Sequence, residues 1–365
     1  MTQTMTFALN RSVSPVSEAD RAQVLADPGF GRVFTDHMVT ITWTKELGWH
    51  DAQVRARAPF QIDPACAVLH YAQEIFEGMK AYRTESDDGA TGLALFRPYE
   101  NAARFNSSAE RMAMPTLPEA DFVAAVEALV EIDKDWIPQG EGSLYLRPFM
   151  FADEAFLGVR PSHKYIFCVI ASPVGAYFKG GAKPVKVWVS SDYTRAAQGG
   201  TGAAKCGGNY AASLIAQAEA SRQECDQVLF LDAAEHKWIE ELGGMNIFFV
   251  LDDGSLMTPP LGTILPGITR KSIMQLARDE GITVTERKYS FDEFEADARS
   301  GRVREVFVCG TAAVIAAVGE MRHAGGAFAI GNGGTGALTE SLRNRLVGLQ
   351  KGKGTDPHGW RHPLA

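Results

Sequence analysis

The sequence lacks the features that identify several large classes of protein. Its five cysteines are scattered and include no CxxC pair, which excludes a zinc ribbon and a thioredoxin-like motif. Lysine and arginine number 36 against 44 aspartates and glutamates, so the formal net charge is −8. This balance argues against nucleic acid or an anionic membrane as the main partner. The longest nearly apolar run, residues 306–318, is shorter than the roughly 20 residues of a membrane span, and a buried strand followed by a helix fits it better.

The composition of the chain is that of a globular protein. Hydrophobic residues make up 45% of the chain and charged residues 22%, which is the usual balance of folded domains. A length of 365 residues allows about two domains. The first twenty residues are polar and lack the apolar core of a signal peptide. We therefore expect a cytoplasmic protein with reduced thiols.

Hydrophobic patterning predicts helices and strands in both halves of the chain. Apolar residues recur at helical spacing over residues 119–136, whereas the run YIFCVIA at residues 165–171 predicts a buried strand. Gly and Pro are concentrated in residues 172–184, which show no helical periodicity. We predict an α+β (mixed α/β) fold with a smaller N-terminal domain, residues 1–171, an interdomain loop, residues 172–184, and a larger C-terminal domain, residues 185–365.

The remaining elements are predicted from the same patterns and from turn residues. The further strands are residues 38–43, 93–96, 144–147, 185–190, 227–232, 247–252 and 305–308. The further helices are residues 210–224, 269–280 and 291–300.

Two glycine-rich segments match nucleotide-binding loops only in part. Residues 331–336, GNGGTG, have the spacing of the dinucleotide fingerprint, but no strand with an acidic residue follows about 20 positions later. A glycine turn is the expected structure. Ala204 and Cys206 flank Lys205, whereas a phosphate loop needs Gly before the lysine and Ser or Thr after it. There is no HExxH or GxSxG motif and no pair of histidines at ligand spacing, so no metal is expected.

Lys205 is the candidate nucleophile. An isolated lysine of this kind is usually a solvated loop residue. Here it lies in GGTGAAKCGGNYAAS, where glycines on both sides allow the backbone to approach a ligand closely. Its small neighbours favour desolvation of the amine, which favours its action as a nucleophile that forms a Schiff base.

Three further segments hold polar groups that could serve a binding site. Glu240 and Glu241 precede a buried-looking strand, and because neighbouring side chains of an extended chain point to opposite faces, we expect at most one of them to turn inward. In residues 265–272, LPGITRKS, a Pro-Gly turn opens a helix whose N–H groups suit an anion. The junction CGTAA at residues 309–313 also suits an anion.

The chain carries an ordered series of longer motifs: FEGMKAYR, LFRPYENAARF, LYLRP, PVGAYF, AKCGGNYAAS, EELGGMNIFFV, LPGITRKS and VFVCGTAAV. Over about residues 30–360 it thereby resembles branched-chain-amino-acid aminotransferases, which are pyridoxal 5'-phosphate (PLP) enzymes of fold type IV, and in particular their bacterial members. The resemblance implies a two-domain, D-amino-acid-aminotransferase-like fold and a homodimer. It also implies reversible ping-pong amino transfer between L-leucine, L-isoleucine or L-valine and 2-oxoglutarate.

The resemblance assigns a role to each matching cofactor residue. Lys205 carries PLP as a Schiff base and moves the proton between substrate and cofactor. Glu241 is paired with the pyridine nitrogen, because an anion there keeps the nitrogen protonated. Tyr210 matches the tyrosine that is hydrogen-bonded to the phenolic oxygen. The implied phosphate site consists of Arg104, Ile268, Thr269 and Thr311.

The resemblance also implies a substrate site. The amides of Thr311 and Ala312 would receive the α-carboxylate, and Arg147 would help hold the distal carboxylate of glutamate. An aromatic wall with one polar edge suits both an apolar and an acidic side chain. The implied wall consists of Tyr71, Phe76, Tyr145 and Tyr177.

Four alternatives stay open at this stage. Within the same fold, FEGMKAYR and LYLRP disfavour a D-amino-acid or (R)-amine transaminase and an aminodeoxychorismate lyase. The GNGGTG segment leaves a nicotinamide-dependent dehydrogenase as a third alternative. A non-catalytic binding protein is the fourth.

Overall fold

The computed structural model describes residues 4–175 and 183–364. Over these residues the chain forms eighteen strands and eight α-helices. The strands are β1 (Ala8–Asn10), β2 (His37–Thr44), β3 (Gly48–Ala56), β4 (Glu74–Phe76), β5 (Met79–Glu85), β6 (Thr91–Phe96), β7 (Ser143–Ala152), β8 (Lys164–Val174), β9 (Val185–Ser190), β10 (Gln227–Leu231), β11 (Ile239–Leu242), β12 (Asn246–Leu251), β13 (Leu256–Thr258), β14 (Val284–Glu286), β15 (Val303–Gly310), β16 (Val314–His323), β17 (Gly326–Ala329) and β18 (Arg361–Leu364). The helices are α1 (Glu18–Ala26), α2 (Ala67–Tyr71), α3 (Pro98–Arg111), α4 (Glu119–Ile132), α5 (Gly207–Arg222), α6 (Ile268–Asp279), α7 (Phe291–Ser300) and α8 (Ala337–Gln350).

The chain divides into two compact units. The first consists of Met1–Tyr177, Ala204–Gly207 and Gly348–Ala365, and the second consists of Phe178–Ala203 and Gly208–Val347. Each unit contains one nine-stranded sheet.

The first unit has the strand order β1-β3-β2-β8-β7-β5-β6-β18, and β4 pairs with β7. All of its pairs are antiparallel except β1 with β3. Helix α4 packs on β2 and β8, because Phe122, Val126 and Leu129 repeat at helical spacing and are fully buried. In the core, Phe122 packs against Phe105 and Phe167 with ring centroids 5.3 and 5.7 Å away.

The second unit has the strand order β11-β10-β9-β16-β15-β12-β13-β14, and β17 pairs with β16. Strand β9 is parallel to β10 and β16, and β13 is parallel to β14. Helices α6 and α7 pack on β15. The ring of Phe294 from α7 lies 4.9 Å from that of Phe249 and 5.5 Å from that of Phe328. Two mixed sheets with helices packed on them confirm the predicted α+β fold.

The predicted elements have observed counterparts, and β9 and α7 have the predicted bounds. One expectation is wrong, because residues 306–318 form parts of the antiparallel strands β15 and β16 rather than a strand and a helix. Pairing of Gly310 with Val314 closes a tight turn at this point. None of the helices in the described part of the chain is long and apolar enough to cross a membrane.

The predicted domain division differs from the two units in three places. Residues 172–174 continue β8, so the strand extends into the predicted interdomain loop. The segment Ala204–Gly207 and the segment Gly348–Ala365 both belong to the first unit. Both segments belong there because of contacts with residues distant in sequence. The carbonyl of Lys205 accepts a hydrogen bond from the N–H of Phe76, and β18 pairs with β6.

Candidate active site

One face of the first sheet carries a row of partly exposed side chains. Strand β4 is antiparallel to β7, with Phe76 opposite Phe149 and Glu74 opposite Phe151. Because residues two apart in a strand share a face, Glu74 and Phe76 lie on the same face as Tyr145 and Arg147. The guanidinium of Arg147 lies 4.7 Å from the ring centroid of Phe76 and donates a hydrogen bond to Tyr145 Oη at 3.2 Å.

This face offers an aromatic wall with one cation. The Nε atom of Arg147 is buried and has no hydrogen-bond partner among the described residues, and a buried donor of this kind is costly unless a ligand accepts from it. A side chain at position 78 would fall on the hydroxyl of Tyr145. Gly78 is therefore needed for this tyrosine to occupy its position.

The backbone of Lys205 is fixed on both sides within the first unit. Its N–H donates to Ser108 Oγ at 2.9 Å, and its carbonyl oxygen accepts from the N–H of Phe76 at 2.9 Å. Its neighbours Ala204 and Cys206 are buried in the core, whereas Lys205 is half-buried. Lys205 Nζ lies 4.8 Å from the ring centroid of Phe76.

Arg104 on α3 is held by Glu77, which is 0% exposed. Arg104 Nε donates to Glu77 Oε1 at 2.8 Å and its second terminal nitrogen donates to Oε2 at 2.7 Å, while Asn101 Nδ2 donates to Oε2 at 2.8 Å. Burial raises the pKa of Glu77, but the charge and hydrogen bonds of Arg104, with Lys205 and Asn101, outweigh burial and hold it below its ordinary value. Glu77 was not among the predicted site residues, although its place inside FEGMKAYR was a signal.

In the second unit, Glu241 is 2% exposed and is fixed by three donors. Arg195 lies 2.9 Å from Oε1, Leu265 N–H donates to Oε1 at 2.8 Å, and Asn246 Nδ2 donates to Oε2 at 2.8 Å. Arg195 was not predicted, because it lies in none of the recognised motifs. Asn246 was not predicted either, although its place inside EELGGMNIFFV, five residues after Glu241, was a signal. The arrangement is a buried carboxylate of fixed orientation.

Glu240 is buried as well, at 7% exposure. The expectation that at most one of the two glutamates turns inward is therefore wrong, because every residue of β11 is buried. The hydroxyl of Thr263 donates to Glu240 Oε1, and burial raises the pKa of this carboxyl while Thr263 and Arg195 oppose the rise. Glu240 lines a cavity of about 620 Å³ with Trp238 and Thr263, and none of the residues that the resemblance assigns to cofactor or substrate lines that cavity.

Ile268 and Thr269 form the beginning of α6. The preceding residue, Gly267, provides no side-chain cap, and the first turn contains no acidic residue. Backbone N–H groups at such a helix start favour an anion. A side chain at position 267 would fall on Oδ1 of Asn246, so the residue that binds Glu241 also packs against the start of α6.

Thr311 and Ala312 lie in the turn between β15 and β16. Val314, just after this turn, has a φ of +61°, which is unusual for a β-branched residue. Backbone strain of this kind is concentrated at ligand-binding turns. Tyr210 lies in the first turn of α5 and is half-buried.

The GNGGTG segment forms a turn before α8, as predicted, and a carboxylate of the chain occupies the helix start. Glu305 accepts hydrogen bonds from the N–H groups of Leu338 and Thr339 at 3.1 and 2.8 Å. A side chain at Gly336 would fall on the same carboxylate. Because Glu305 fills the position where a dinucleotide phosphate would bind, the dehydrogenase interpretation is excluded.

The family model for amino-transferase class IV matches residues 74–321. The chain belongs to this family. This class IV aminotransferase is 55% identical over 365 residues to the probable branched-chain-amino-acid aminotransferase of Streptomyces coelicolor, with 99% of each chain covered. It is 53% identical over 360 residues to the branched-chain-amino-acid aminotransferase of Mycolicibacterium smegmatis, with 97% of each chain covered.

Solved structures agree with the family assignment. The branched-chain amino acid aminotransferase of Escherichia coli matches with a TM-score of 0.73 and 29% identity, covering 89% of this chain and 99% of that chain. The T.th. branched-chain amino acid aminotransferase with pyridoxamine 5'-phosphate matches with a TM-score of 0.73 and 28% identity, covering 89% and 98%. The predicted family, fold and enzyme class are confirmed, and this class IV aminotransferase is a PLP-dependent enzyme.

The structure describes one of the other two predicted pocket residues of this class IV aminotransferase. Tyr71 is 38% exposed, and its hydroxyl donates to the carbonyl of Leu157. Tyr177 lies outside the described residues.

Proposed function

We propose that this aminotransferase transfers the amino group reversibly between L-leucine, L-isoleucine or L-valine and 2-oxoglutarate by a ping-pong mechanism. Relatives at 53–55% identity over nearly the whole chain carry the name branched-chain-amino-acid aminotransferase. The observation that carries the proposal is the row of Phe76, Tyr145 and Arg147, because an aromatic wall suits a branched aliphatic side chain and one cation suits glutamate.

The residues present fit PLP. Arg195, Asn246 and Leu265 hold Glu241 as a buried, oriented anion, which suits a protonated pyridine nitrogen. The uncapped start of α6 at Ile268 and Thr269 suits a phosphate. Arg104, Thr311 and Tyr210 are assigned to PLP by resemblance. When bound, PLP supplies an electron-accepting ring that stabilises negative charge at the substrate Cα.

The protein residues have separate tasks in this mechanism. Lys205 Nζ takes the proton from the substrate Cα, and because its backbone is held by Ser108 and Phe76, its side chain alone has to move. The amides of Thr311 and Ala312 receive the α-carboxylate. Arg147 receives the distal carboxylate of glutamate, and aromatic residues pack against the aliphatic side chains: Tyr71, Phe76, Tyr145 and Tyr177.

We also propose a homodimer. Exposed apolar side chains occur on two segments that the hydrogen bond from Tyr71 to Leu157 joins, namely Leu69, Tyr71, Phe156, Leu157 and Val159. Apolar groups exposed in such numbers mark protein interfaces. Light scattering is expected to give twice the chain mass of 39.6 kDa, and a monomer at micromolar concentration would contradict the proposal.

The five cysteines are free and buried, which suits a reducing compartment. We therefore propose that the enzyme works in the cytoplasm on small-molecule substrates.

The function is tested by adding L-leucine and then 2-oxoglutarate to purified protein loaded with PLP. The visible absorbance of the bound cofactor is expected to fall with L-leucine and to return with 2-oxoglutarate, which separates the two half-reactions. D-leucine is the control, because a D-amino-acid transaminase would respond to it. Lys205→Ala should fold normally and lose turnover, since a general base contributes about 10²–10⁴-fold. Near-wild-type turnover in this variant would refute the assigned mechanism.

A further inference from the structure

Glu74 connects the segment that carries Lys205 to the face that carries Arg147. Its Oε1 accepts a hydrogen bond from the N–H of Gly207, the first residue of α5. A side chain at position 207 would fall on this same oxygen. The glycine therefore allows the Glu74 carboxylate to approach the chain two residues after Lys205.

Glu74 also shares a surface with Arg147. The pairing of β4 with β7 places Glu74 and Phe76 on one face with Arg147, and the guanidinium lies against the ring of Phe76 at 4.7 Å. Burial raises the pKa of Glu74, and the N–H of Gly207 and then the charge of Arg147 oppose the rise. The carboxylate and the guanidinium therefore interact electrostatically, although they do not form a close ion pair.

This matters because the proposed pocket has to receive two kinds of side chain. A partly buried cation without any compensating charge would favour the acidic substrate strongly and would be costly to cover with an aliphatic side chain. A carboxylate on the same face lowers the positive potential without occupying the guanidinium. The cation can then attract glutamate and still tolerate leucine.

We propose that Glu74 is a specificity-determining residue that weakens the attraction of Arg147 for the distal carboxylate of the substrate. The proposal rests on the proposed function, since it assumes that Arg147 faces that carboxylate. Glu74 thereby helps to set the relative affinity of the enzyme for dicarboxylic and for branched-chain substrates.

The test is Glu74→Gln, which keeps the volume and an oxygen that can accept from Gly207 but removes the charge. KM is measured for 2-oxoglutarate and for 4-methyl-2-oxopentanoate, the oxo acid of leucine. The ratio of the second KM to the first is expected to rise about three- to tenfold, the size of a screened single-charge interaction over several ångströms. Glu131→Gln, on the exposed end of α4, removes the same charge elsewhere and should leave the ratio unchanged.

A second variant separates charge from hydrogen bonding. Glu74→Asp keeps the charge on this face but shortens the reach to Gly207, so turnover should fall with every substrate while the KM ratio stays within about twofold of wild type. An unchanged ratio in Glu74→Gln, or an equal change in both variants, would overturn the proposal and leave Glu74 as a structural hydrogen-bond acceptor.

A binding measurement with analogues that do not react tests the role of Glu74 independently of the proposed reaction. Calorimetry with glutarate and with 4-methylpentanoate should show the same preference for the dicarboxylate in Glu74→Gln. If the wild-type protein transaminates neither substrate, the proposed function fails. If it transaminates both and the variant shows no shift toward 2-oxoglutarate or glutarate, only the role of Glu74 fails.

Discussion

Replacing Glu77 with glutamine is expected to destabilise the first unit strongly. Three side-chain hydrogen bonds converge on this fully buried carboxylate, two from Arg104 and one from Asn101. The N–H of Gly78 also donates to Oε2, at 3.2 Å. In Glu77→Gln one oxygen becomes an NH₂ group that faces another donor, and the guanidinium of Arg104 loses its counter-charge. Breaking a buried ion pair by removing one partner costs about 3–5 kcal/mol, which is a large part of a typical free energy of unfolding of about 5–15 kcal/mol.

The assay is urea denaturation followed by circular dichroism at neutral pH, with Glu131→Gln as the control. Glu131 pairs with Lys134 on the surface, where both side chains are at least half exposed, so its replacement should cost at most about 1 kcal/mol. The double variant Glu77→Gln/Arg104→Gln should recover part of the loss, because the charge left unpaired is then removed as well. A loss below about 1 kcal/mol in Glu77→Gln alone would refute the argument.

The contribution of Glu77 to the free energy of unfolding depends on pH in a definite direction. The pKa of Glu77 in the folded protein lies below its ordinary value, because Arg104 outweighs the effect of burial. A carboxyl of this kind contributes stability above the pKa of the unfolded chain and loses that contribution as the pH falls through the folded-state pKa. The difference in stability between wild type and Glu77→Gln should therefore be largest near neutral pH and should narrow in acid. A difference that widens in acid would contradict this assignment.

Three further variants test other parts of the site. Glu241→Gln should still bind PLP but lose at least about tenfold in kcat, because a neutral amide does not keep the pyridine nitrogen protonated; an unchanged kcat would rule out that role. Gly78→Ala should raise KM for L-leucine severalfold, because the added methyl group falls on the hydroxyl of Tyr145; an unchanged KM would mean that Tyr145 does not contact substrate. Glu305→Ala should lower the free energy of unfolding by about 1–2 kcal/mol, as measured with urea, because it uncaps α8; a smaller loss would mean that the cap is dispensable.

The sequence predicted those parts of the fold that depend on the pattern of neighbouring residues. The periodicity of residues 291–300 and the strand-forming residues at 185–190 correspond to α7 and β9 without error. Residues 306–318 were misassigned because the segment mixes alanine, which favours helix, with valine, which favours strand. Composition also does not reveal a turn closed by a strained Val314.

The site was predictable only where ordered motifs marked it. The hydrogen bond between Lys205 and Ser108 joins residues 97 apart in the chain, and Arg195 reaches Glu241 through folding alone. Periodicity gives no information about such pairs. The burial of Glu240 was missed for a related reason, because a four-residue strand does not reveal that both of its faces are covered.

The pairing of β18 with β6 has a consequence for synthesis on the ribosome. The first unit needs Gly348–Ala365 to complete its sheet, whereas the second unit ends at Val347. Domains fold as units while the chain emerges, so the second unit has its full sequence before the first unit does. Residues 4–175 are thus translated before the second unit but complete their sheet only after it, and β6 remains an open sheet edge until Arg361–Leu364 emerge.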